Sequence, residues 1–391
     1  MSDFTFNTTA SIRQGWGSAA RLGEIVGTLP LANDDGAAVL FVTDPGIMKL
    51  GLATPAIGNL KTCGFEVIVF DQVQADPKAT TVLDAVAIAK QHNAACIVGF
   101  GGGSSMDVAK MIALLANTDQ PLDDMYGVNQ AKGTRLPLVL VPTTAGTGSE
   151  VTAVSILTTG TEEKKGVVSP IILPDIAVLD AELTMGLPPH ITAATGIDAM
   201  VHAIEAFTSK SPNNNPISQA LAMEALRLLG ANIREAVTNG ANREAREKML
   251  LGSMLAGQAF ANSPVAAVHA LAYPVGSLFH VPHGLSNALV LEAVMRFNAP
   301  NCGADYAELA PLVFPDIDTS RDTQAVATEF IDRLGRLNVE LGLETGLRQV
   351  GISQSDIPKL ASDAMKQSRL LVNNPRDLQE EDAARIYQAS L

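Results

Sequence analysis

The chain has 391 residues, more than one compact core usually holds, so two domains are expected. A formal charge of -14 argues against a nucleic-acid surface, which needs clustered Lys and Arg, while 47% hydrophobic and 17% charged residues describe a globular protein with ample core. Cys63, Cys96 and Cys302 are odd in number and far apart, which fits a reducing compartment better than a disulfide framework. The opening MSDFTFNTTA lacks the basic and apolar stretches of a signal peptide, and no run of about 18 apolar residues marks a membrane span, so the expected location is cytoplasmic.

Taken in chain order, residues 4–9 (FTFNTT) alternate as an edge strand would. From residue 37 short apolar runs alternate with helical stretches. Residues 37–43 (AAVLFVT), 66–70 (EVIVF), 95–100 (ACIVGF) and 137–141 (PLVLV) each read as a buried strand, with amphipathic helical segments between the first three. That pattern predicts a parallel, doubly wound α/β sheet. A further strand is expected within 171–179 (IILPDIAVL), confined to an edge or bend by Pro174. From Ile191 onward the texture is Ala, Leu, Met and Glu at helical spacing with no convincing strand. The second domain is therefore expected to be all helical, with the boundary near Met185, giving domains 1–185 and 186–391.

Two loops of the first half suit a nucleotide. Directly after the third strand comes GFGGGSSMDVAK, in which Gly101, Gly102 and Gly103 lead into Ser104, Ser105 and a helix carrying Asp107 and Lys110. Consecutive glycines let a backbone approach a ligand, and the helix start offers free N–H groups to a pyrophosphate. The same turn would also serve simple strand-to-helix packing, and it is neither a P-loop nor the usual GxGxxG. Asp44, ending the first strand, is placed to accept from an adenosine ribose and repel a 2′-phosphate, favouring NAD over NADP; it is equally an ordinary Asp-Pro-Gly turn residue. After the fourth strand, PTTAGTGSEVT crowds Thr143, Thr144, Thr147 and Ser149 at the carboxyl edge of the sheet, where open α/β sheets bind ligands.

In the helical half, Asp198 and His202 stand four residues apart in GIDAMVHAIEAF, a carboxylate and an imidazole on one helix face. His269 and His283 follow in AVHALAYPVGSLFHVPHG, so three histidines and one carboxylate are candidates for one site, and four of the six histidines fall between His202 and His283. One carboxylate and three imidazoles suit a borderline divalent ion such as Fe(II) or Zn(II), though each residue singly would also make an ordinary core or capping group.

The segments GGGSSMDVAK, PTTAGTGSEVT, GIDAMVHAIEAF and AVHALAYPVGSLFHVPHGLSNAL, in this order, resemble those of the iron-dependent (group III) alcohol dehydrogenases, the family of lactaldehyde reductase and 1,3-propanediol dehydrogenase. The resemblance covers essentially the whole chain. It implies an N-terminal dinucleotide-binding domain and a C-terminal helical domain in the dehydroquinate synthase-like architecture, with the active site in the cleft between them. It also implies metal ligands at Asp198, His202, His269 and His283, a pyrophosphate turn at Gly101, Gly102, Gly103 and Ser104, nucleotide contacts at Thr143, Thr144 and Thr147, and a ribose-selecting acid at Asp44. A cofactor-contacting lysine falls on Lys165 or its neighbour Lys164. At least a homodimer is implied, paired through an N-terminal strand.

The implied reaction is Lewis-acid polarisation of an alcohol oxygen and hydride transfer to the nicotinamide, interconverting small alcohols or diols with aldehydes or ketones. Some relatives carry a histidine four residues after the third ligand, where this chain has Tyr273. Proton transfer is thus left between Tyr273, His280 and the ribose hydroxyls. Phe260, Asn262, Val265 and Tyr273 are expected to shape a modest pocket of mixed polarity. A hydroxyacid–oxoacid transhydrogenase stays open as an alternative. A dehydroquinate synthase-like lyase fits less well, because the segments around the ligands are nearly uncharged.

Overall fold

The computed structural model describes residues 3–31, 36–160 and 163–391. The chain forms two compact units, one from Asn7–Thr144 with Gly148–Met185, the other from Gly186–Leu391 with Ala145–Thr147 and the N-terminal stretch through Phe6.

The first unit contains β1 (Ser11–Gln14), β2 (Ala38–Val42), β3 (Glu66–Phe70), β4 (Cys96–Gly101), β5 (Gly127–Val128), β6 (Leu138–Pro142), β7 (Val154–Thr159), β8 (Glu163–Val168) and β9 (Ile176–Leu179). Its helices are α1 (Leu22–Val26), α2 (Pro45–Lys49), α3 (Thr54–Thr62), α4 (Ala79–Gln91) and α5 (Gly103–Leu115). Six strands form a parallel sheet in the order β1-β9-β6-β4-β2-β3. The inner strands β2, β4, β6 and β9 are buried at every position, as uninterrupted apolar runs covered on both faces should be. Alternation splits them between two cores: Leu40, Val42, Ile97, Leu138 and Leu140 pack against α4 and α5, while Val39, Phe41, Val98, Phe100, Val139 and Val141 pack against α1 and α3. Gly99 belongs to the first contact, since a Cβ there would stand 2.7 Å from both Ala109 Cβ and Leu140 Cδ2.

One local expectation needs correction, and two further features add to the sequence reading. The strand after Pro174 is interior, lying between β1 and β6, because it starts only at Ile176 and so leaves the proline outside the ladder. Residues 4–9 form no strand within the chain: Thr5 N–H donates to Asn213 Oδ1 at 2.9 Å and Thr5 C=O accepts from Asn213 Nδ2 at 2.9 Å, so a side-chain amide takes the place of a neighbouring strand. A second sheet, β5-β8-β7, was not expected. Its β7 and β8 pair antiparallel from Val154↔Val168 to Thr159↔Glu163, and the alternating run VSILTT carried that signal.

The second unit is helical: α6 (Pro189–Thr208), α7 (Pro216–Thr238), α8 (Arg243–Asn262), α9 (Ala267–Phe279), α10 (His283–Val313), α11 (Thr323–Glu340), α12 (Ile357–Met365), α13 (Ser368–Leu371) and α14 (Glu380–Ala389). Pro189 starts α6, where a missing N–H costs nothing, and the Asn215 side chain caps α7 by accepting from Ile217 N and Ser218 N. From Gly196 to Thr208 every residue of α6 is buried, which its Ala, Ile and Met content permits, and α7, α8 and α10 pack around it. The long α10 is broken at Cys302, two residues after Pro300.

Candidate functional site

Asp198 and His202 lie one turn apart on α6, His269 in the first turn of α9, and His283 is the first residue of α10. One ligand atom from each lies within 4.8 Å of the others. Asp198 Oδ1 is the common neighbour, 4.0 Å from His202 Nε2, 3.9 Å from His269 Nε2 and 3.6 Å from His283 Nε2. Asp198, His202 and His269 are buried, while His283 is 37% exposed and forms the open side of the group. The rings of His202 and His269 stack at 4.7 Å, and Phe260 stacks on the other side of His202 at 4.3 Å.

Glycine makes this approach of helices possible. A Cβ on Gly284, beside His283, would run into the Ala194 carbonyl of α6 and stand 3.3 Å from Asp198 Cβ. Gly146 likewise lies against Thr195, where a Cβ would meet Thr195 Cβ at 2.8 Å, and its backbone faces the His202 ring.

Two further residues hold the ligands, and sequence reasoning missed both. Glu205, one turn after His202, accepts from His269 Nδ1–H at 2.7 Å and from Val268 N–H at 2.6 Å. A carboxylate only accepts, so Nδ1 carries the proton and the Nε2 lone pair faces the other ligands. Asn287, one turn after His283, donates through Nδ2 to Asp198 Oδ1 at 2.6 Å, with His269 and His283 Nε2 at 3.3 and 3.4 Å. Helical spacing from a ligand was the signal available for each.

The electrostatics suit a cation. Burial pushes the His202 imidazole down to about 3, so it is a neutral lone-pair donor at neutral pH. Burial alone would raise Asp198, but the facing imidazoles and the Asn287 amide outweigh it and hold the carboxyl below its ordinary range. Three converging imidazole nitrogens and one carboxylate, with only His283 partly exposed, fit a divalent ion.

In the other unit, Asp44, the Gly101–Ser104 turn, Thr143 and Thr144 lie at the carboxyl edge of adjacent strands β2, β4 and β6, whereas Lys165 is on β8 and Thr147 belongs to the helical unit. Gly101 has φ 151°, and a Cβ there would stand 2.7 Å from Ser105 Oγ and 3.3 Å from Asp44 Oδ2, so only glycine allows this turn. Gly102 caps α5 without a side-chain hydrogen bond, and Gly102, Gly103 and Ser104 are partly exposed, so the first-turn N–H groups lack a side-chain cap and could serve an anion. Thr143 N–H donates to Gly101 C=O at 3.0 Å, and Thr144 Oγ1 faces Gly102. Asp44 caps α2 through Oδ1, accepting from Ile47 N–H at 3.0 Å.

Several candidates make contacts within the protein. Both Asp107 oxygens are engaged inside the protein, accepting from Ser149 Oγ at 2.6 Å and Ile156 N–H at 2.9 Å, so Asp107 and Ser149 bind each other. Lys164 pairs with Asp76 at 2.7 Å, whereas Lys165 lies 5.9 Å from the Tyr126 ring centre. The Tyr273 ring is 5.9 Å from that of His283. His280 is the exposed, left-handed cap of α9 with φ 55° and makes no ring contact or hydrogen bond to the four ligands among the described residues. Asn262 and Val265 are buried, and the Val265 carbonyl accepts from Asn373 at 3.1 Å.

Residues 9–181 match the model of iron-containing alcohol dehydrogenase, and residues 192–391 match that of the Fe-containing alcohol dehydrogenase family, C-terminal. The chain belongs to the iron-containing alcohol dehydrogenases. It is 38% identical to long-chain-alcohol dehydrogenase 1 of Geobacillus thermodenitrificans over 96% of this chain and 94% of that one. It is also 38% identical to 1,3-propanediol dehydrogenase of Klebsiella pneumoniae over 90% of this chain and 91% of that one. The crystal structure of a 1,3-propanediol oxidoreductase matches all of both chains with TM-score 0.93 at 36% identity. The enzyme is thus an oxidoreductase that interconverts alcohols and aldehydes with NAD(H), and its family is one that binds iron.

Proposed function

We propose that the enzyme is an NAD-preferring, Fe(II)-dependent dehydrogenase of small alcohols or diols, organised as a nucleotide domain over 1–185 and a metal domain over 186–391. The observation that carries it is the convergence of Asp198, His202, His269 and His283 from three helices, with Glu205 orienting one ligand from behind. A divalent ion held there supplies Lewis-acid polarisation of an alcohol or carbonyl oxygen.

The chain's own residues do the rest. The Gly101, Gly102, Gly103 and Ser104 turn holds the pyrophosphate with backbone N–H groups, and Thr143, Thr144, Thr147 and Lys165 complete the nucleotide contacts. Asp44 accepts from the adenosine ribose, and its charge disfavours a 2′-phosphate. Phe260 and Tyr273, the aromatic neighbours of His202 and His283, narrow the space beside the ligands and keep water out, which favours a small substrate. Tyr273 is the proton-carrying side chain of choice, since His280 is exposed and remote in its contacts. Names such as 1,3-propanediol dehydrogenase among the relatives support the small-diol reading. A cytoplasmic homodimer belongs to the same proposal; no helix of the described residues is long and apolar enough to cross a membrane.

Oxidation of a panel of short alcohols and diols with NAD and NADP, using metal-stripped protein reloaded with Fe(II) or Zn(II), tests the reading. Turnover that needs metal and prefers NAD is expected. Full turnover without metal would overturn it.

A further inference from the structure

Residues 263–266 alone join α8 to α9, and the ligand they lead to is His269 in the first turn of α9. Ser263, Val265 and Ala266 are buried, so the carbonyls of this turn must find donors inside the protein. They find side chains. Asn213 Nδ2 donates to Asn262 C=O at 2.6 Å, Ser209 Oγ to Pro264 C=O at 2.8 Å and Asn373 Nδ2 to Val265 C=O at 3.1 Å. The start of α9 is also capped from outside: its N-cap, Ala266, makes no side-chain hydrogen bond, and Glu205 of α6 accepts from Val268 N–H at 2.6 Å in its place. Asn373 is the most distant of the donors in sequence, 108 positions from Val265. It is itself fixed, for its amide also donates to Arg369 C=O at 3.1 Å, and its backbone C=O accepts from Lys210 N–H at 2.8 Å.

We propose that Asn373 is a positioning residue for the metal centre: by holding Val265 C=O it sets the direction in which the chain enters α9, and so where His269 Nε2 stands against Asp198. Through Lys210 the same residue is tied to the end of α6, the helix that carries Asp198 and His202, so one asparagine registers the ligand of α9 against those of α6. This rests on the reading of Asp198, His202, His269 and His283 as the ligands.

Two features separate positioning from simple packing. A hydrogen bond onto one carbonyl is directional, whereas an apolar contact would hold the turn over a range of angles. The next residue also supplies a comparison within the same segment. Asn374 is buried too, but its amide exchanges two hydrogen bonds with Asn298 of α10, at 2.8 and 3.0 Å, and donates to Arg376 C=O at 2.6 Å. Asn298 stands about four turns along α10 from His283, so Asn374 braces the fold without holding the turn before α9.

The test compares full-length wild type, N373A, S209A and N374A by four measurements: the Co(II) dissociation constant from chelator competition, the visible spectrum of the Co(II)-loaded protein, amide hydrogen exchange across residues 263–270, and thermal midpoint. In N373A the dissociation constant should rise about tenfold or more, the Co(II) spectrum should change and exchange across 263–270 should quicken. S209A, which removes the donor to Pro264 C=O, should show the same changes to a smaller degree. N374A should lower the thermal midpoint comparably to N373A while leaving Co(II) affinity and spectrum at their wild-type values. A folded N373A with wild-type Co(II) affinity and spectrum overturns the proposal, as does an N374A that shifts them as far as N373A does. If N373A does not fold, S209A against N374A decides by the same criteria. Wild-type protein that binds no Co(II) overturns the parent reading and this one with it.

Discussion

Glu205 Oε2 lies 2.7 Å from His269 Nδ1, so a carboxylate on α6 sets the tautomer of a ligand on α9. Replacing it by the isosteric amide, E205Q, keeps the volume but lets the side chain present N–H to the ring and to Val268. Metal affinity, read by chelator competition, should fall about 10- to 100-fold. An unchanged affinity would remove Glu205 from the centre.

His269→Ala should lose bound metal and turnover together, because it removes one of four donors and takes the partner from Oε2 of buried Glu205. Metal analysis beside steady-state oxidation checks this. A variant that lost metal yet kept its rate would separate the four residues from the reaction.

Asp44 can be tested without disturbing α2. Ser in its place still accepts at the helix start, so D44S removes charge and keeps the cap. The ratio of kcat/KM with NADP to that with NAD should rise about tenfold or more, since a like charge facing the 2′-phosphate is gone. An unmoved ratio would return Asp44 to a turn residue only.

Gly284→Ala forces a methyl group against the Ala194 carbonyl. Separating α10 from α6 by even a few tenths of an ångström parts His283 from Asp198. The variant should lose about 1–3 kcal/mol of stability and bind metal more weakly. Wild-type metal affinity in G284A would show that the helices have slack.

A pH effect follows from Glu150, which is buried with Oε1 unpartnered and whose carboxyl burial pushes up to about 7. Its folded value lies above its unfolded one, so between about 4.5 and 7 the native state holds a proton that the unfolded chain has released. Stability from this group therefore falls as pH rises through that window and stays low above it. E150Q should match the metal-free wild type near pH 4.5 and exceed it near pH 8, measured as thermal midpoint against pH. Parallel curves would dismiss the effect.

Much of this was legible in sequence because the signals were local. Apolar runs bounded by turns marked β2, β3, β4 and β6 within a residue or so, and the i, i+4 pair Asp198 and His202 marked one ligand face. What stayed hidden depends on pairing at a distance. The place of β9 in the sheet is set by which strands flank it, not by its composition. The inward turn of Asp107 required knowing that residue 149 returns to it across 42 positions. Glu205 and Asn287 lay in plain helical register with ligands, but nothing local separates a supporting residue from a solvated one.

The ligands sit on three helices, and α9 is the shortest of them, 13 residues against 20 and 31. Pro274 removes one of its internal hydrogen bonds, and its polar ties lie in its first turns: Val268 N–H and His269 Nδ1 on Glu205, and the Leu271 carbonyl, which accepts from Tyr387 O–H at 2.6 Å. An ion at the centre is then also a fastener, and chelation works as a local solvent for α9. Enzyme stored without metal would not simply idle. It would age from this helix outward, exchanging amide hydrogens and yielding to proteases there while the parallel sheet remained intact.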